Sequence, residues 1–181
     1  MVQVVFSAVM KTLSFYKQNA LTVLAPIYGP RESANIVEYW LEQQLGLTRV
    51  DQVLRAKEIF PFERYDHELA ELIARKPVQY IVGHTFFYGL KIGLNSETLI
   101  PRPETEELVD WIIEYATIID KPLQILDVGT GSGCIPISLK LALPNCMLAG
   151  LDISETALQT AKHNAAKLNA DISWMQEDIL N

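Results

Sequence analysis

Ile125-Leu126-Asp127-Val128-Gly129-Thr130-Gly131-Ser132-Gly133 is the stretch on which the fold reading turns. Leu123 to Val128 is a short apolar run that ends in a glycine turn, and Ser132 to Leu143 continues with helical character. A strand that enters a helix through glycines brings backbone close to a ligand. The turn is predicted to offer unpaired N–H groups and the positive end of a helix to an anionic group. The alternation continues downstream. Cys146 to Leu151 reads as a second strand, Ser154 to Leu168 as a helix with Ser154 as N-cap, and Asp171 to Met175 as the start of a third strand. This is the pattern of the first half of a doubly wound sheet.

Carboxylates stand where the strands end. Asp152 follows Gly129 by 23 residues, a spacing at which an acid accepts hydrogen bonds from ribose hydroxyls. Glu177-Asp178 follows the third strand and could reach an adenine amino group, although acids at strand ends also serve as solvated surface. A dinucleotide fingerprint wants glycines at the first, third and sixth positions. Here they fall at the first, third and fifth, and Cys134 is sixth. With Asp127 immediately before the turn, S-adenosylmethionine fits better than NAD; a tight turn without a ligand is the plain alternative. Cys134 reads either as a thiol of lowered pKa at a helix start or, better, as a small buried thiol. Pro136 is tolerable only in the first turn of its helix.

Upstream, Pro101-Arg102-Pro103 enforces an extended turn. Glu104 to Thr117 then reads as a helix with Leu108, Ile112 and Tyr115 on one side and an acidic first turn. Tyr80 to Leu94, rich in aromatic and β-branched residues with interior glycines, reads as a hairpin bridging two parts. Before Arg75 the chain reads as a bundle of about four or five helices. Phe6 to Leu24 is one. Another follows Gly29-Pro30, with Ala34, Val37, Trp40, Leu41 and Leu45 on its apolar face and Gly46 as its stop. Thr48 begins a short helix expected to turn Val50, Val53 and Leu54 inward, and Glu63 to Arg75 carries Leu69, Leu72 and Ile73. The domains expected are therefore a helical domain at 1–75, a linker with a β-hairpin at 76–100, and a sheet domain at 101–181.

The 181 residues are 49% hydrophobic and 20% charged, enough for a core without a metal or disulfide staple. Fifteen basic against 22 acidic side chains give a net charge of -7, which argues against an electrostatic grip on nucleic acid. The excess sits in residues 76–181, at seven basic against thirteen acidic. Cys134 and Cys146 form no CxxC pair, and His67, His84 and His163 have no ligand spacing, so no metal is expected. There is no basic region ahead of the apolar N-terminus and no apolar run of roughly 18 residues, so neither a secretory signal nor a membrane span is read, and a cytoplasmic setting is expected.

Three runs together resemble the HemK/PrmC family of protein-(glutamine-N5) methyltransferases, which act on peptide chain release factors. They are Arg75-Lys76-Pro77-Val78-Gln79-Tyr80-Ile81-Val82-Gly83, Pro101-Arg102-Pro103-Glu104-Thr105-Glu106-Glu107-Leu108-Val109 and the Asp-Val-Gly-Thr-Gly-Ser-Gly turn. The glycine turn is shared by class I methyltransferases generally; the other two runs are more specific. The resemblance implies a helical substrate-recognition domain ahead of a Rossmann-like sheet, S-adenosyl-L-methionine as cofactor and a release factor as partner, with no metal, membrane or direct nucleic-acid partner. It implies that Gly129, Thr130, Gly131, Ser132 and Gly133 line the methionine end of the cofactor, that Asp127 supports the loop, that Asp152 holds the ribose, and that Asp178 lies beside the adenine. Arg102 and Thr105 would lie near the reactive end, with an ordinary ion pair to a nearby Glu as the alternative for Arg102. The family's catalytic Asn-Pro-Pro-Tyr run does not occur in this sequence. Asn181 stands in the wrong context for it, so no catalytic residue is assigned and the chain is expected to be a piece of a longer protein, inactive alone. Two alternatives remain: a nucleic-acid amino-group methyltransferase, which would use a similar run, and a non-catalytic binding or structural fragment.

Overall fold

The computed structural model describes residues 10–119 and 121–180. Residues Phe6 to Val9 of the first expected helix, and Asn181, lie outside them. The chain divides into two compact units, Met1–Val82 and Gly83–Asn181.

In the first unit a two-residue strand β1 (Lys11–Thr12) pairs antiparallel with β2 (Ile59–Phe60). Among the described residues five helices complete the unit: α1 (Leu13–Tyr28), α2 (Pro30–Leu45), α3 (Arg49–Leu54), α4 (Tyr65–Ile73) and α5 (Val78–Val82). Among the described residues the first helix starts at Leu13, where the Thr12 side chain caps it by accepting from the Phe15 N–H. It buries Leu13, Tyr16, Ala20 and Leu24, one face at helical spacing. Gly29 (φ 84°) ends α1 and Pro30 opens α2, and left-handed Gly46 (φ 66°) closes α2. The face of α2 that is buried is Ser33, Ile36, Val37, Trp40 and Leu41.

Helix α3 corrects an expectation. Val50, Val53 and Leu54 are exposed and Gln52 is the buried residue. The Gln52 amide donates to the Glu38 carbonyl at 3.1 Å and the Leu47 carbonyl at 3.3 Å. Buried carbonyls need donors, so a polar side chain holds the inner position and the apolar ones face outward. At the centre of this unit the Trp40 and Tyr65 rings stack, with Phe62 beside both. Glu68 is fully buried beneath them. It accepts from Trp40 Nε1 (2.6 Å) and Gln44 Nε2 (2.8 Å) and pairs with Arg64 (2.9 Å).

The second unit begins with a hairpin of β3 (His84–Phe87) and β4 (Leu90–Gly93), shorter than Tyr80 to Leu94 because Val78–Val82 is helical. Tyr88 (φ 50°) and Gly89 (φ 72°) form its two-residue turn, the left-handed pair that matches strand twist. Helix α6 (Glu104–Ile119) buries Val109 and Ala116, with Ile112 and Ile113 packed on the same core. Leu108 and Tyr115 are exposed, against expectation. Nine of its sixteen residues are apolar and they spread over more than half of its circumference, so its period alone does not select the inner face.

Next come β5 (Gln124–Val128), α7 (Cys134–Ala142), β6 (Met147–Asp152), α8 (Glu155–Lys167) and β7 (Ser173–Gln176). The three strands are parallel in the order β5-β6-β7, a partial Rossmann-like sheet. Ser154 caps α8 by accepting from the Ala157 N–H. Pro136 is buried in the first turn of α7, where its missing N–H breaks no ladder bond. No helix among the described residues is long and apolar enough to cross a membrane.

Candidate cofactor site

Parallel strands end on one side of a sheet, and here the ends of β5, β6 and β7 bring the expected acids to that edge. Val128 is in register with Leu151, and Asp152 with Gln176. Asp127 lies at the end of β5, the glycine turn follows it, Asp152 closes β6, and Asp178 stands two residues beyond β7.

Gly129 (φ 74°), Gly131 (φ 54°) and Gly133 (φ 77°) all adopt left-handed backbone, which L side chains reach only with strain. A side chain on Gly129 would meet nothing within 4 Å. Gly133 has a second reason to lack a side chain: a Cβ there would stand 3.0 Å from both Ala161 Cβ and the Trp174 ring.

The expectation of unpaired N–H groups is corrected at four positions. Gly129 and Thr130 both donate to the Leu151 carbonyl at 2.8 and 2.9 Å, Gly133 donates to the Thr130 carbonyl at 2.9 Å, and Gly131 donates to Asp152 Oδ2 at 2.8 Å. The turn folds back on the neighbouring strand end because its donors are needed there. What it offers a ligand is shape and an acid rather than a row of free amides.

Asp152 thus organises the edge. Its Oδ2 takes the Gly131 N–H and its Oδ1 takes the Ser154 N–H at 2.9 Å. A carboxylate has about four acceptor positions, so capacity remains for two hydroxyls. Asp127 has the opposite character. Burial pushes its carboxyl above the ordinary carboxylate range, the nearby Thr130 hydroxyl works against this, and the Asp152 charge adds to it. Asp127 Oδ2 and Thr130 Oγ1 are buried without a hydrogen-bond partner. Orphaned polar atoms beside a glycine turn with open space above it fit a polar cofactor lying against the backbone. Cys134 is a buried thiol pushed up to about 11 by its burial, not an activated one.

Asp178 accepts from the Leu180 N–H at 2.9 Å. Arg102 is exposed and forms no ion pair among the described residues. No hydrogen bond joins Arg102 or Thr105 to the glycine turn; Thr105 donates its N–H to the Arg102 carbonyl in the first turn of α6.

Comparison with known proteins brings the two units under one heading. A PrmC N-terminal domain model matches residues 19–83 and a methyltransferase domain model matches residues 119–181. A curated relative from Flavobacterium psychrophilum, named release factor glutamine methyltransferase, is 42% identical over 170 residues, 91% of this chain and 60% of that protein. This chain belongs to the HemK/PrmC family. Two further relatives of the same name, from Enterococcus faecalis and Bacillus subtilis, are 41% and 39% identical, over 76% and 77% of this chain and 50% and 49% of theirs. The chain therefore spans about half to three-fifths of the length of the curated relatives it matches.

Three features of this HemK/PrmC chain escaped sequence reasoning. Glu106 accepts the Tyr88 N–H at 2.7 Å and Asp110 accepts the Tyr88 hydroxyl proton at 2.7 Å, so acids of α6 hold the hairpin turn. The hydroxyl bond to Asp110 raises the Tyr88 phenol pKa. Trp174 packs on Gly150, where a Cβ would lie 2.5 Å from its ring. Asn164, 2% exposed, bonds three backbone groups. Gly150 inside β6 and Gly93 at the end of β4 were the available signals for the second and third, since a glycine in a strand marks close approach.

Proposed function

We propose that the protein carrying this chain methylates the side-chain amide nitrogen of a glutamine in a peptide chain release factor, with S-adenosyl-L-methionine as methyl donor. The observation that carries the reading is the Gly129–Gly133 turn joined to Asp152 through the Gly131 amide, in a chain that also matches the PrmC N-terminal domain. The cofactor supplies a methyl group on a sulfonium. Gly129, Thr130, Gly131, Ser132 and Gly133 would line its methionine end, Asp152 would take the ribose hydroxyls, and Asp178 would lie by the adenine. Asp127 keeps a buried acceptor beside the turn. Arg102 and Thr105 act near the reactive end. The work of such a site is positioning and electrostatics, and no group of these 181 residues is assigned to orient the acceptor amide.

Residues 1–75 would form the substrate-recognition domain and residues 101–181 the cofactor-binding part, with residues 76–100 joining them, Val78 and Ile81 packing with the first unit and Phe87 and Ile92 with the second. The net charge of -7 supports a protein substrate over a nucleic acid, and the setting is cytoplasmic. The test is transfer of a radiolabelled methyl group from S-adenosylmethionine to a release factor, run beside RNA and DNA panels. Label on a single glutamine of the release factor is the expected result; label on nucleic acid alone overturns the reading.

A further inference from the structure

Asn164 is a polar side chain in the interior of α8, and every hydrogen bond it makes goes to backbone of two other segments. Its Oδ1 accepts the Gly93 N–H at 2.9 Å, and its Nδ2 donates to the Gly93 carbonyl at 3.0 Å and to the Ser132 carbonyl at 2.9 Å. Both amide protons are thereby used. Gly93 ends β4, and Ser132 lies inside the glycine turn. Gly93 lacks a side chain for this contact: a Cβ there would sit 2.8 Å from Asn164 Oδ1.

One helix face holds the hairpin a second time, since Asn95 Nδ2 donates to Thr160 Oγ1 at 2.6 Å. Eight residues beyond Gly93 the chain enters Pro101–Glu106, and Glu106 returns to the hairpin through the Tyr88 N–H. The segment carrying Arg102 and Thr105 is thus tied at both ends to the hairpin, and the hairpin is tied to the glycine turn by one amide.

We propose that Asn164 is a positioning residue that locks the glycine turn to the hairpin, so that the cofactor loop and the Pro101–Glu106 segment hold one fixed relation. The purpose assigned to this lock rests on reading Gly129–Gly133 as the cofactor loop. The lock itself is a matter of three hydrogen bonds.

Amide hydrogen exchange in the intact protein tests it without a ligand. In Asn164→Ala, the amides of Gly131 and Gly133 and those of β4 are expected to exchange together, roughly ten- to a hundredfold faster, as buried carbonyls lose their donors. Core amides of β6 keep their rates. Asn164→Asp retains the acceptor for Gly93 and loses both donors, so the turn speeds up while the Gly93 amide stays protected. Gly93→Ala acts from the hairpin side and never touches the turn; faster exchange at Gly131 and Gly133 in that variant supports the lock even where Asn164→Ala fails to fold. A change confined to β4 and its neighbours in Gly93→Ala overturns it. Calorimetry with S-adenosylhomocysteine separates the two readings. Binding by the unmodified protein that weakens roughly tenfold or more in the variants supports both, and equal binding refutes the positional role. No binding by the unmodified protein defeats the cofactor reading and leaves the exchange result to decide the lock.

Discussion

Two carboxylates at the sheet edge differ in what surrounds them, and that difference has measurable consequences. Asp152 is satisfied by two backbone N–H groups, whereas Asp127 is half-buried with one buried oxygen unpartnered. The Asp127 pKa is raised in the folded protein, first by burial. A raised carboxyl binds its proton more tightly folded than unfolded, so its cost is absent below the unfolded pKa and grows as pH rises through the folded one. Asp127→Asn is therefore expected to be more stable than the parent at neutral pH, with the gap closing as pH falls to the ordinary carboxylate value. Urea unfolding across that range measures it, and a gap independent of pH would contradict the burial argument. Asp152→Ala removes charge-assisted bonds worth about 1.5–3 kcal/mol each. S-adenosylhomocysteine should bind roughly ten- to a hundredfold more weakly, with circular dichroism excluding unfolding. Because Asp152 also holds the Gly131 amide, Asp152→Asn, which keeps an acceptor oxygen, should lose less.

At the scale of the element, packing against small residues decides what is tolerated. β6 must carry glycine at 150 because the Trp174 ring of β7 occupies the space a Cβ would need, at 2.5 Å. Gly150→Ala is expected to cost about 1–3 kcal/mol, the range for overpacking, read as a lower urea midpoint with unchanged slope. In the helical unit, Glu68 links α4 to α2 through Trp40 and Gln44. Its ion pair with Arg64 counts for little, since Arg64 is largely exposed. The buried bonds from Trp40 and Gln44 carry the effect. Glu68→Ala strands those donors and should cost about 3 kcal/mol. A lower urea midpoint would show the loss, and a shift under half a kilocalorie, well below the usual cost of stranded buried donors, would show that the network is dispensable.

For the whole molecule, the two units have separate buried cores: Trp40 belongs to one cluster, and Ile125 packs against the other. Activity is expected to need more than the residues described. With no Asn-Pro-Pro-Tyr string in the sequence, the 181-residue chain assayed alone should transfer no methyl group to a release factor. Turnover by that chain in the radiolabel assay would mean that another group orients the amide.

Much of the architecture is legible in the sequence. The alternation of apolar runs with a glycine turn, Ser154 as a cap, Gly46 as a stop and the Gly29-Pro30 break are local signals, and each acts through backbone dihedrals or a cap within a few residues. They determined the helical front, the parallel strands and the place of Asp127, the glycine turn and Asp152. What local signals do not contain is which face of an element finds a partner. On α3 the glutamine went inward because the Glu38 and Leu47 carbonyls lacked donors. On α6 an apolar surface wider than one core-facing stripe left Val109 and Ala116 inside and Leu108 and Tyr115 outside. The glycine turn spent its amides on Leu151 and Asp152, which lie more than twenty residues away. Asn164 reached Gly93 across 71 residues. These are pairings between distant segments, and their geometry exists only once the strands have aligned and the helices have packed.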